Sequence, residues 1–141
     1  MKNPNVGNTK NKKTPLSLNA IRKLEELEYN FCQYVDTAFP KKFRHTYVAQ
    51  ILNCFSLAMS EGLVGFSHDS DIFAEEKLDH ISHAIGHVCH IQTCLNRLND
   101  LGQISDNTKA LLDMKLAEIL DGLTRFSSSL RNKISIAGRN P

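Results

Sequence analysis

Residues 112–130 read LDMKLAEILDGLTRFSSSL, and this stretch decides the fold. Leu112, Leu116, Ile119, Leu123, Phe126 and Leu130 recur at alternating spacings of four and three. That rhythm lays a single apolar stripe along an α-helix. Ser105-Asp106, just upstream, offers side-chain oxygens suited to capping its first turn.

Moving outward, three more segments repeat the pattern. Before the turn marked by Gly102, Leu78, Ile81, Ile85, Val88, Leu95 and Leu98 form the inner face of a third helix. Its start is expected near Asp71, with Glu75 and Glu76 favouring the same end electrostatically. A second helix is predicted from about Lys41 to Leu63. Phe43, Tyr47, Ile51, Phe55, Ala58 and Gly62 or Met59 mark its buried side, and the stretch GFSHDSD at 65–71 interrupts it. The first helix lies within 17–39, with Ala20, Leu24, Leu27, Phe31, Tyr34 and Ala38 inward. Thr14-Pro15 suits its start and Phe39-Pro40 its end. No strand-like alternation competes. The expected fold is all-α, an antiparallel up-down four-helix bundle with helices crossing at about 20°.

The chain of 141 residues suffices for one domain with a real core. Residues 1–15 are expected to form a disordered basic tail, 16–133 the bundle and 134–141 a flexible C-terminal tail. The opening MKNPNVGNTKNKKTP lacks the apolar centre of a secretory signal. No apolar run is expected to reach the roughly 20 residues of a membrane helix. Cys32, Cys54, Cys89 and Cys94 sit in helical patterns without CxxC spacing, which suits reduced thiols. A cytoplasmic protein with no membrane contact is therefore the expectation.

Net charge is +2, yet the charges are uneven. Lys2, Lys10, Lys12 and Lys13 fall in the N-terminal tail, leaving 13 bases against 15 acids in the rest. The far end is basic again through Arg125, Arg131, Lys133 and Arg139. Basic ends of this kind suit an anionic partner.

FPKKFRHTYVAQI at 39–51, LNRLNDLGQIS at 95–105 and EILDGLTRFSSSLRN at 118–132 occur in an order and spacing with a precedent. Together they resemble the four-helix accessory variability determinant (Avd) proteins of diversity-generating retroelements, over about residues 20–133. FPKKFRH is similar to that family's Phe-Pro-Lys-x-x-Arg start of helix two. The resemblance implies a subunit without catalytic activity that assembles into a homopentameric barrel. It also implies binding to a reverse transcriptase and its RNA, or DNA, in support of mutagenic copying. Related four-helix proteins encoded within ribosomal RNA genes carry a proline in helix two. Here Glu61-Gly62 occurs without that proline, which favours the Avd-like branch. Asn96, Asn99 and Gly102 stand where the family tends to be basic.

Within this frame the expected nucleic-acid and partner surface comprises Lys41, Lys42, Arg44, His45, Arg97, Arg125, Arg131 and Lys133. The first four sit at a helix N-terminus, where backbone amides already attract phosphate. The tail lysines have no interleaved aromatic residues for base stacking.

One further cluster invites a different chemistry. His80, His83, His87 and His90 fall within an arc of roughly 80° on helix three, beside its apolar face. This is a candidate pH-sensitive interface, expected to pack at a helix or subunit border or to touch RNA. Tighter phosphate binding below pH 7 would follow if it does. His83 and His87 have the i, i+4 spacing of metal ligands, but no acid lies on the stripe and HExxH is missing, so further ligands would have to come from another helix. No metal or other cofactor is expected. No enzyme is expected either: Ser127, Ser128 and Ser129 lack a glycine elbow, and Cys89 and His90 point about 100° apart. The alternative to a retroelement accessory is an oligomeric four-helix scaffold for protein partners.

Overall fold

The structure, a computed structural model, describes residues 16–38, 47–67 and 73–139, with side chains placed over 19–35, 47–65 and 73–136. Four helices account for nearly all of it: α1 (Leu16–Ala38), α2 (Tyr47–Ser67), α3 (Ala74–Asp100) and α4 (Asp106–Arg139). No strand occurs among the described residues. Helices adjacent in the chain pack together and α1 also packs on α4, with the α2–α3 contact the most extensive.

The apolar stripes become the core. On α4, Leu116, Ile119, Leu123 and Leu130 are buried, while Leu112 and Phe126 pack partly against them. Each fully buried aliphatic side chain contributes about 1.5–3 kcal/mol relative to exposure. On α1 the inner face is Ala20, Ile21, Leu24, Leu27, Phe31 and Val35, with Tyr34 only half-buried. Phe31 and Phe55 bring their rings to 6.0 Å with a 40° tilt, joining α1 to α2.

Glycines set how closely these helices approach. A methyl on Gly62 would lie 3.0 Å from Ile21 Cγ1, and one on Gly65 3.0 Å from Ile81 Cδ1. Both positions are buried, so α2 nests directly against α1 and α3.

Several boundaries differ from the sequence expectation. The helical part of α2 described here begins at Tyr47 and runs to Ser67, past Gly65 where an interruption was expected. Packing explains this, because Gly65 is held under Ile81. α3 starts at Ala74 rather than near Asp71, with Phe73 at the cap position and no side-chain cap bond; Asp71 lies outside the described residues. Glu75 and Glu76 do occupy its first turn. The α3–α4 turn follows local rules. Gly102 has φ of +72°, and Ser105 Oγ accepts from the Thr108 amide at 3.1 Å. α4 is helical to Arg139.

The centre of α3 is also shifted. Lys77, Ile81, Ala84, Val88, Ile91, Cys94, Leu95 and Leu98 are buried, while Leu78 and Ile85 sit at the margin. Lys77 is only 5% exposed, its Nζ lying 5.1 Å from the centroid of the Phe126 ring. A desolvated ammonium over an aromatic face keeps a favourable electrostatic contact.

The expectation that no helix approaches membrane-spanning character needs correction. The 19-residue stretch Tyr47–Gly65 meets that measure of length and composition, with mean hydropathy 1.2 and 39% of the window buried. α2 carries one charged residue, Glu61, and packs on two neighbours, so its inner side is apolar for packing reasons.

Candidate functional site

Two histidines of the α3 stripe, His80 and His83, approach Glu61 of α2. His80 Nδ1 lies 2.6 Å from Glu61 Oε2. A carboxylate accepts, so this imidazole donates through Nδ1. The same oxygen is 4.0 Å from His83 Nδ1, and Asp79 Oδ2 is 3.9 Å from that nitrogen on the other side. His80 and Glu61 are about two-thirds covered, at 31% and 30% side-chain exposure, while His83 is open at 58%. His87 is half-buried and His90 exposed.

Acids thus reach the histidines from two helices, Glu61 on α2 and Asp79 one turn before His83 on α3, which corrects the expectation that no acid lies on the stripe. As placed, no three His, Cys, Asp or Glu side chains among the described residues surround a common point as metal ligands do. Farther along the same groove, Cys94 Sγ donates to Gln50 Oε1 at 3.7 Å. Burial raises the thiol pKa of both Cys94 and Cys54, and mutual repulsion between the two thiolates adds to it at Cys94. Cys89 is exposed and Cys32 half-buried.

The expected cationic surface divides in two. Lys41, Lys42, Arg44 and His45 lie outside the described residues. Arg97 is exposed in the last turn of α3, at the end where Asn99 Nδ2 donates to Asp106 at 2.9 Å. Arg125 is exposed and paired with Asp121 at 3.1 Å, a surface contact of little energetic weight. Arg131 and Lys133 are exposed just beyond Leu130, the last buried core residue of α4. From Asp106 to Arg131 is 25 residues of helix, roughly 38 Å, so Arg97 and Arg131 belong to opposite ends of the bundle.

Where α1 packs on α4, Lys23 pairs with Glu118 at 3.6 Å beside a cleft. The cleft itself, about 130 Å³, sets Lys23 and Lys115 against Glu26 and Glu118 over Leu27 and Ile119. Its charges balance and present no net sign to an anion.

Sequence reasoning missed Glu61 as a partner of the histidines. Its only sequence signal was its standing as the one charge on α2. No protein-family model matches this chain, and no curated protein matches it.

Proposed function

We propose that this chain is a non-catalytic accessory protein of a diversity-generating retroelement. In this reading it binds the reverse transcriptase and its RNA or DNA and supports mutagenic copying in the cytoplasm. The bundle has an antiparallel up-down order and assembles as a homopentamer. The resemblance of FPKKFRH, LNRLNDLGQIS and the last helix to Avd proteins supports the identity. The pairings Lys23–Glu118, Glu61–His80 and Gln50–Cys94 support the helix order.

The observation that carries the binding role is the basic, acid-free end of α4. Residues 122–139 hold Arg125, Arg131, Lys133 and Arg139 and no acid. The nine residues after Leu130 extend the helix by about 13 Å. In a ring, five copies of such an end add their weak phosphate contacts. Neutralising Arg131 and Lys133 to glutamine is expected to weaken RNA binding and reduce its salt slope by about 2. Co-purification with a neighbouring reverse transcriptase, with and without nuclease, tests the partner, and light scattering tests the pentamer. Recovery of neither polymerase nor nucleic acid rejects this reading.

A scaffold for protein partners is the second reading. It is supported by Leu57, Leu63 and Val64, which are 40–45% exposed on a helix with a single charge. Nuclease-insensitive capture of a protein other than a polymerase would favour it.

A further inference from the structure

We propose that the outer face of the last half of α4 is a binding strip for double-helical nucleic acid, contacted through its sugar–phosphate backbone. The inference rests on the nucleic-acid reading above and names the form of the ligand. Thr124, Arg125, Ser128, Arg131, Asn132 and Ser135 are all exposed. At about 100° per residue they fall within an arc of roughly 120°, with Ser128 about 60° from each arginine. From Thr124 to Ser135 the strip runs about 17 Å along the helix. Guanidinium, hydroxyl and amide groups are the side chains that bond phosphate oxygens and sugars. No acid occurs from 122 to 139, and Asp121, which borders the strip, pairs with Arg125 at 3.1 Å.

The composition of the strip selects a duplex over a single strand. Single strands are held by stacking their bases on exposed aromatic side chains. α4 carries one aromatic residue, Phe126, and its ring is partly covered and lies under Lys77 of α3. A strip that acts by charge and hydrogen bonds alone follows phosphate density. That density is one charge per about 1.7 Å along a duplex against about 3.4 Å along one strand. A single helix also fixes the spacing of these six side chains. A regular duplex backbone meets such an array without first being ordered, whereas a flexible strand loses conformational entropy in matching it. Lys2, Lys10, Lys12 and Lys13 attract either form, so variants within the strip carry the test.

Fluorescence anisotropy with the full chain compares an RNA duplex of about 20 base pairs with each of its separate strands, at constant salt. The duplex is expected to bind at least about fivefold more tightly than either strand. Ser128→Asp sets a carboxylate between the two arginines and should weaken duplex binding about tenfold. Ser60→Asp, the same change on the exposed side of α2, leaves it unchanged. Asp121→Asn removes the bordering acid and should tighten binding about twofold. Arg125→Gln should lower the salt slope for the duplex by about 1. Far-UV circular dichroism checks the fold of each variant. Three results overturn the proposal and leave nucleic-acid binding itself standing: single strands that bind as tightly as the duplex, Ser128→Asp and Arg125→Gln proteins that bind the duplex as the parent does, or equal weakening by Ser60→Asp and Ser128→Asp. Binding of neither form rejects the nucleic-acid reading together with this one.

Discussion

His80 Nδ1 stands 2.6 Å from Glu61 Oε2, tying α3 to α2 across 19 residues of sequence. Both groups are partly covered, so the bond is stronger than an open surface pair and weaker than a buried one. A double-mutant cycle with Glu61→Gln and His80→Ala, measured by urea unfolding in metal-free buffer, is expected to give a coupling of about 1 kcal/mol. Additive losses would mean that the contact is not formed in solution.

Two glycines of the same helical type are expected to respond oppositely to alanine. At Gly62 the added methyl meets Ile21, which is 1% exposed and cannot move into solvent. Gly62→Ala should destabilise the bundle by about 1 kcal/mol despite better helix propensity. Gly86 is exposed on α3 with nothing within 4 Å of the new methyl. Gly86→Ala should therefore raise stability by about 0.5–1 kcal/mol. Thermal unfolding of both variants decides, and a gain at Gly62 would contradict the close α1–α2 approach.

The α3–α4 turn offers a third check. Ser105→Ala removes the oxygen that accepts the Thr108 amide and should cost about 1 kcal/mol. Gly102→Ala forces a side chain into a backbone of φ +72° and should cost about 1–2 kcal/mol. Chemical denaturation measures both, and a neutral Ser105→Ala would show the cap to be unformed.

The buried thiols carry a pH prediction. Burial raises the pKa of Cys54 and Cys94 above the ordinary thiol value of 9.0. Below 9 both folded and unfolded chains keep these protons and the contribution to stability is complete. As pH rises past 9 the unfolded chain ionises first, so this contribution falls and is lost as pH passes through the raised folded values. Cys54→Ala should lessen the loss of stability above pH 9, and iodoacetamide should label the exposed Cys89 well before either buried thiol. Equal labelling rates for Cys89 and Cys54 would refute the burial.

Much of the core was legible in the spacing. Leu116, Ile119, Leu123 and Leu130 follow the predicted α4 stripe because helical period is a local property of the chain. α3 was harder. Its true centre keeps the same rhythm through Lys77, Ala84 and Ile91, but a lysine and an alanine carry little hydrophobic signal, so the stripe was drawn toward Leu78 and Ile85. Lys77 is inside because Phe126 offers a ring face, which no spacing on α3 reveals. The continuation of α2 through Gly65 was missed for a related reason. Glycine is a local breaker, yet here it permits contact with Ile81.

By itself, the sequence determined four helices, most of their inner faces, the α3–α4 turn chemistry and the concentration of bases near the chain ends. Each is decided by residues within a few positions of one another. Only the tertiary structure decided that Glu61 faces His80 and His83, that Cys94 meets Gln50, and that Arg97 and Arg131 lie at opposite ends. Those relationships depend on how close two helices come and in what register they meet. That is a matter of packing between surfaces, which the period of a single helix does not encode.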